Sequence, residues 1–249
     1  GFIGLGYYGR EQRPFDTTWP YHMAPINVAE LLSRAFGEVD VIDQRSFHEG
    51  ALEDYPAFML NTTDYITEED AEAVRQYVER GGVLLCDHVP SHNTNGKPLH
   101  TLQALFQGPS EHFYRHVTVT RGTYGEGRTL LFSDDINELY TSSIEKNQPQ
   151  LRYLLKTTIR EVLHSAGIRP HVFSANYEVE VGVLLTDDTV VLVAVNHADG
   201  RQQSRLTLFE PPLPVAAAFD LVSMRRFPFR QSDRGIELDV DLDEREGIL

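Results

Sequence analysis

The sequence has almost no cysteine and no long hydrophobic run. Cys86 is the only cysteine in 249 residues, so no disulfide can form within the chain, and stability must come from its packed core. This single cysteine favours a reducing compartment, and we expect a cytoplasmic location. The longest purely apolar run, Val190 to Val195, is far shorter than the roughly 18 residues that a membrane-spanning helix needs.

Positive charge is also scarce. Lys and Arg together number 22 against 37 for Asp and Glu, which gives a formal charge of -15. A field of this sign repels phosphate backbones and anionic lipid headgroups, so we expect neither nucleic acid nor an acidic membrane as a partner. Apolar residues make up 41% of the chain, an ordinary fraction for a folded globular protein.

Strand and helix patterns alternate through the first two-thirds of the sequence. Helical spacing of apolar residues predicts a helix over Val28 to Ala35 and a long one over Leu151 to Leu163, and Thr67 is placed to cap a third. Strands are predicted at Val39–Ile42, Phe58–Leu60 and Val83–Cys86 and, after a short helix around Leu99–Phe106, at Val117–Thr120 and Arg128–Phe132. Such alternation indicates an α/β domain whose parallel sheet has helices on both faces.

The hydrophobic period changes beyond Gly167-Ile168-Arg169-Pro170. Apolar and other residues alternate along Val179 to Val183 and again along Ile236 to Leu242, and this period of two is typical of half-buried strands. Turn residues separate these runs. We therefore predict two domains, an α/β domain over residues 1–168 and a small antiparallel β-sandwich over residues 169–249.

Several segments resemble the middle domain of bacterial β-galactosidases. They are Val28–Leu32, Val39–Ile42, Ala57–Leu60 and, as the best match, the helix, glycine pair and strand of Ile66–Leu85. The resemblance implies a flavodoxin-like fold of the class I glutamine amidotransferase type, in a domain that mediates trimer assembly. The segment Val191–His197 looks like the β-rich module that follows this domain.

The resemblance implies a non-catalytic assembly and substrate-access portion of a β-galactosidase-like glycoside hydrolase, or a free-standing relative of it. We therefore expect a homo-oligomer, with a trimer implied by the family, and a carbohydrate as the class of ligand. A (β/α)₈ hydrolase barrel needs about 250 residues by itself. Any such barrel would accordingly precede Gly1.

Cys86 is the sharpest catalytic candidate, because class I amidotransferases place their nucleophile after the matching strand. In those enzymes the nucleophile lies on a tight turn from strand to helix, and this turn needs small residues on either side. Here Leu84 and His88 flank the cysteine. The family's His-x-Glu pair corresponds here to Ser133-Asp134-Asp135, which lacks the histidine base. We predict an inert buried thiol and no catalytic residue; the alternative is an amidotransferase-like hydrolase in which His88 is a substitute base.

A ligand pocket is predicted at the carboxyl end of the parallel strands, where α/β sheets place their ligand sites. Its candidate residues are Asp87, His88, His92 and Asp135, and a sugar-binding or scaffold module is the third interpretation of the chain. Five histidines cluster in this region of the sequence: His88, His92, His100, His112 and His116. No cysteine or carboxylate arrangement completes a four-ligand site with them, so we predict no metal.

We predict that the first 25 residues, which are rich in glycine and aromatic residues, form a loop. Gly4 to Gly9 spells a dinucleotide-binding fingerprint, but no helical pattern begins until Val28, and we predict no nucleotide cofactor. Large aromatic residues crowd the same loop, and we predict that they pack on the core or on a neighbouring subunit. The interface candidates among them are Tyr7, Tyr8, Trp19 and Tyr21.

Overall fold

The computed structural model describes residues 27–248 apart from 38, 62, 114–116, 134–135, 212–213, 222 and 245–246. The chain divides into two compact units. One contains residues up to Glu30 together with Val39–Ile168, and the other contains Leu31–Glu38 together with Arg169–Leu249. In the described part of the chain, no helix is both long enough and apolar enough to cross a bilayer.

A five-stranded mixed sheet forms the centre of the first unit. The strands of this unit are β1 (Ala57–Leu60), β2 (Tyr65–Ile66), β3 (Val83–Cys86), β4 (His92–Asn93), β5 (Ser110–Phe113), β6 (Val117–Tyr124) and β7 (Gly127–Phe132). The sheet order is β1-β3-β7-β6-β5, and β2 pairs with β4 separately. Strands β1, β3 and β7 are parallel, whereas β6 runs antiparallel to both of its neighbours, β7 and β5. The predicted α/β class is confirmed, but the sheet is mixed rather than wholly parallel.

The described residues form five helices. They are α1 (residues 27–36), α2 (Gln44–His48), α3 (Glu68–Glu79), α4 (Ile136–Glu145) and α5 (Pro149–Ser165), with 3₁₀ turns at Ala51–Asp54 and Gln103–Phe106. The Thr67 side chain accepts a hydrogen bond from the amide of Asp70 at 3.0 Å, as predicted. This bond satisfies one of the free amides at the start of α3.

The packing of α3 on β3 depends on the glycine pair that follows the helix. Gly81 has φ of +112° and Gly82 lies against the Tyr77 ring, where an added Cβ would come within 2.3 Å of Cζ. The buried face of α3 includes Ala71, Val74 and Val78, which share one core cluster with Phe58 and Leu84 of the sheet. The glycines therefore allow the chain to turn sharply from helix into central strand.

The predicted strand at Val39–Ile42 is wrong, because residues 39–43 adopt no regular structure. Ile42 is buried, but Val41 is 61% exposed. The segment is held by side chains instead of a strand ladder: Tyr55 Oη donates to Asp40 at 3.0 Å, and Asp43 caps α2. The helix predicted around Leu99–Phe106 is likewise reduced to its final 3₁₀ turn.

The second unit contains antiparallel sheets. Its strands are β8 (Val172–Ser174), β9 (Val179–Leu185), β10 (Val190–Asn196), β11 (Gln202–Leu208), β12 (Ala218–Asp220), β13 (Arg225–Phe227), β14 (Arg230–Ser232), β15 (Gly235–Leu242) and β16 (Gly247–Ile248). They form a three-stranded sheet, β16-β10-β9, a four-stranded sheet, β14-β15-β11-β8, and a hairpin of β12 with β13. Alternate residues of the two larger sheets share one apolar cluster.

Helix α1 contributes residues to both units. In the first, Asn27 donates to Thr141 at 2.8 Å. In the second, the Ser33 hydroxyl donates to Glu180 at 2.6 Å, and Arg34 lies 3.5 Å from Glu178. The division between units therefore falls within a continuous helix.

Candidate functional site

Two buried polar side chains meet where strands β1 and β3 end. These strands are parallel and in register, with Leu60 opposite Cys86, so the residues that follow them, Asn61 and Asp87, are neighbours. The Asn61 amide donates a hydrogen bond to the Asp87 carboxylate. Only 2% of Asn61 and 9% of Asp87 are exposed. A polar pair therefore occupies the edge of the sheet where α/β proteins bind ligands.

Further polar groups surround this pair. The Thr63 hydroxyl donates to the Asn61 carbonyl at 3.1 Å, and His88 Nε2 lies 3.3 Å from Asp64 Oδ1. The side-chain oxygen of Asn61 is buried and accepts no hydrogen bond in the described structure. The site thus holds a buried acceptor beside a carboxylate, and a ligand that satisfied this acceptor would have to supply a hydroxyl or amino donor.

Cys86 is fully buried at the end of β3. Its thiol donates to the backbone carbonyl of His88 at 2.6 Å. Burial raises the pKa of this thiol well above its ordinary value, and the Asp87 carboxylate raises it further. The imidazole of His88 pairs with Asp64, while the contact between His88 and the thiol is through the backbone. The thiol is accordingly protonated at neutral pH and weakly nucleophilic.

The remaining predicted pocket residues lie apart from this pair or outside the described residues. His92 is exposed on β4, where its Nδ1 is 2.9 Å from the Ser91 hydroxyl. The other residues named from the sequence, Asp135 together with Tyr7, Tyr8, Trp19 and Tyr21, lie outside the described residues. Of the predicted pocket residues, Asp87 and His88 thus follow β3 directly and contact Asn61 and Asp64 respectively, and His92 lies on a separate strand.

The histidine cluster is dispersed in the described structure. His100 is paired with Gln103 at 3.1 Å and His112 with Thr118 at 2.7 Å, while His116 lies outside the described residues. Where the structure describes the chain, no three His, Cys, Asp or Glu side chains converge in a way that could hold a metal ion.

Sequence analysis missed Asn61 and Asp64, which complete this polar cluster. Asn61 directly follows a strand that was predicted from the sequence, in the same way that Asp87 follows β3. Because parallel strands end at one edge of a sheet, the rule that selected Asp87 also selects Asn61. Asp64 carried no such signal, because its proximity to His88 depends on the path of the connecting loop.

Comparison with known proteins shows similarity in structure but not in sequence. No protein-family model and no curated protein matches the chain. A catalytic mutant of a GH42 β-galactosidase from G. stearothermophilus superposes with a TM-score of 0.63 at 13% identity, over 99% of this chain and 39% of that one. A β-galactosidase from Bacillus circulans sp. alkalophilus gives 0.61 at 12% identity, over 99% and 40%.

The similarity extends to another glycoside hydrolase. Alpha-L-fucosidase isoenzyme 2 from Paenibacillus thiaminolyticus has a TM-score of 0.60 at 10% identity, over 99% of this chain and 48% of that one. The chain spans only about two-fifths to one-half of the length of these proteins. We conclude that nearly the whole chain has the fold of a region that occurs within glycoside hydrolases.

Proposed function

We propose that this chain is the non-catalytic assembly and substrate-access portion of a β-galactosidase-like glycoside hydrolase, or a free-standing relative of that portion. The observation that carries the proposal is the superposition of 99% of the chain on 39% of a GH42 β-galactosidase. In this proposal residues 1–168 form a flavodoxin-like domain of the glutamine amidotransferase type. Residues 169–249 form a β-sandwich domain.

The geometry around Cys86 supports a non-catalytic role for the α/β domain. An amidotransferase nucleophile needs a base that takes the thiol proton, but the Cys86 thiol donates to a backbone carbonyl and its pKa is raised. The His88 ring is engaged by Asp64. This arrangement disfavours the alternative of an amidotransferase-like hydrolase.

Self-association is the second part of the proposal, with a trimer as the expected oligomer. The resemblance to a trimerisation domain motivates it, as do the aromatic residues predicted at the interface. In the described part of the α/β unit, Ile144 and Tyr153 are exposed on α4 and α5. Large apolar side chains of this kind are enriched at interfaces between subunits.

Sedimentation equilibrium combined with an activity assay tests the proposal. We expect an oligomer at micromolar concentration and no hydrolysis of a chromogenic β-galactoside by the chain alone. A clean monomer of 28.3 kDa would contradict the assembly role. Hydrolysis that the Asp87→Asn variant abolishes, but an Asp187→Asn control retains, would contradict the non-catalytic role.

The polar pair at the sheet edge favours a second function, sugar binding. Asn61 offers a buried acceptor beside Asp87, a combination that sugar hydroxyl groups can satisfy. Calorimetric titration with galactose tests this function. Saturable binding that Asn61→Leu removes and the exposed Asn95→Leu change preserves would support it, and no heat beyond dilution would contradict it.

A further inference from the structure

The second unit contains an apolar cavity that neither sequence analysis nor the proposed function uses. Its volume is ≈ 200 Å³, and its walls come from strands of both larger sheets, from the segment before β12 and from the β12–β13 hairpin. Leu192, Leu206 and Leu238 line it on the sheets, and Val215 and Phe227 line it on the other side. The cavity therefore lies beside the apolar cluster of this unit.

The chemistry of the cavity wall restricts what can bind there. Among the described residues that line it, only Thr189 and Asp220 have polar side chains. A cavity of about 150 Å³ lined by Leu, Ile and Phe stays dry and takes up benzene, and the cavity in this unit is somewhat larger. Its volume and lining fit a single aromatic ring or a short branched alkyl group.

The β12–β13 hairpin provides a route into the cavity. It pairs with neither of the larger sheets, and isolated two-stranded hairpins are marginally stable. Phe219 and Leu221 line the cavity from this hairpin and its turn, yet they are 56% and 48% exposed. The exposed apolar side chains of the hairpin and its turn therefore form the rim of the cavity, in contact with solvent.

Charge narrows the class of ligand further. Asp220 at the rim lies opposite Arg225 on the hairpin, so the rim selects no sign of charge, but a charged ligand group would lose its hydration against the apolar wall, which favours a neutral ligand. We propose that the second unit binds a small neutral apolar molecule, or the neutral apolar group of a larger one, in the cavity beneath the β12–β13 hairpin. This inference is independent of the proposed function.

Titration of the full chain with toluene, a neutral probe of suitable size, tests the inference by NMR. We expect saturable binding and intermolecular NOEs from the toluene protons to the methyl groups of Val215, Leu206 and Leu238. Two substitutions that fill the cavity from different segments, Val215→Phe and Ala218→Phe, should each weaken binding at least about ten-fold, because the added ring occupies the volume of the probe. Ala175→Phe is the matched control, since Ala175 is exposed and does not line the cavity.

Each outcome of the titration either supports or overturns the inference. Binding that is lost in a folded filling variant and retained in Ala175→Phe supports the inference, with circular dichroism confirming the fold of each variant. If both filling variants fail to fold, the NOEs of the unmodified chain decide the question. Absence of saturable NOEs to these methyl groups, or full binding by both folded filling variants, would overturn the inference.

Discussion

Several polar side chains are satisfied by backbone groups close to them in sequence. Thr67 accepts from the amide of Asp70, and Cys86 donates to the carbonyl of His88. These local bonds follow from the conformation of a helix start and of a turn after a strand, and they require no distant partner. The Thr67 bond leads to a prediction about stability, and the Cys86 bond leads to a prediction about reactivity.

We predict that Cys86 reacts slowly with iodoacetamide in the folded state. Burial disfavours the thiolate and raises the pKa of the thiol well above its ordinary value, so the reactive fraction at neutral pH is small. Labelling followed by mass spectrometry should show slow modification of the folded chain and fast modification in urea. His88→Ala should leave the slow rate unchanged, because only the backbone of His88 contacts the thiol; a fast rate that this variant abolishes would indicate a catalytic pair.

We predict that Thr67→Ala lowers the free energy of unfolding by about 1 kcal/mol, because the variant loses the side-chain cap of α3. Thr67→Ser keeps the hydroxyl and should retain most of the stability. Urea unfolding followed by circular dichroism measures both variants. Equal stability of the alanine and serine variants would show that the cap contributes nothing.

Strands and helices with a strong apolar pattern are predictable here, and weakly patterned ones are not. α3 and α5 have wide apolar faces, and β3 is a continuous apolar run between turn residues, so the sequence predicts them correctly. Ser110–Phe113, by contrast, pairs as β5 although Ser110, Glu111 and His112 are exposed. Its ladder with β6 comes from tertiary pairing that a hydrophobic pattern cannot reveal.

The failed strand at Val39–Ile42 and the partly predicted site have related physical causes. A short apolar segment such as Val39–Ile42 forms a strand only where a neighbouring strand offers its backbone groups. In the structure, Asp40 instead accepts a hydrogen bond from the Tyr55 side chain, and Asp43 caps α2. Similarly, Asn61 lies next to Asp87 because β1 and β3 are neighbours in the sheet. Neither segment of the sequence predicts this pairing by itself. Residue type and strand end were predictable, but the pairing between segments was not.

We predict that Gly127→Ala destabilises the first unit by about 1–3 kcal/mol, the range typical of overpacking. A Cβ at this position would lie 2.0 Å from the Val78 carbonyl oxygen and 2.5 Å from that of Gly82, and neither backbone atom can move freely. Gly182→Ala is the matched control on β9, where an added Cβ meets nothing within 4 Å. Urea unfolding of both variants should show a large shift for Gly127→Ala alone.

Exposed arginine–aspartate pairs on and beside strands β11, β14 and β15 predict a dependence of stability on pH. Hydrogen bonds from Arg205 lower the pKa of Asp239, and those from Arg201 lower the pKa of Asp241. A lowered folded-state pKa means that the stabilisation is present above the unfolded-state pKa and is lost as pH falls through the folded value. The effect should therefore appear below about pH 4.

Urea unfolding across this acidic range measures the effect. The Arg205→Gln variant should lose less stability on acidification than the unmodified chain. The reason is that the variant already lacks the stabilising pair of Arg205 with Asp239 at neutral pH. Salt near 1 M shortens the screening length to about 3 Å and should reduce the difference between them. An identical pH dependence in the two proteins would show that these exposed pairs contribute no measurable stability.

At the scale of the whole molecule, the proposed self-association sets short-range apolar contacts against long-range charge repulsion. The charge of -15 disfavours association at a distance, but it is screened beyond about 8 Å in physiological salt. If the predicted first loop forms the contact of the proposed oligomer, the double variant Trp19→Ser, Tyr21→Ser should dissociate that oligomer while circular dichroism stays unchanged. A Phe219→Ser, Leu221→Ser variant is a control for loss of exposed apolar area; dissociation by the control alone would place the contact in the second unit.

Because helix α1 contributes to both units, it restricts which fragments of the coding sequence can encode a complete unit. Ser33 and Arg34 of this helix supply partners to Glu180 and Glu178, while Asn27 of the same helix is bonded within the first unit. A fragment that starts at residue 169 would lack the contribution of α1 to the second unit, and a fragment that stops at residue 168 would carry part of a helix without its partners. A single break in the coding sequence therefore cannot release either unit complete, and recombination that exchanges one of them has to carry α1 along.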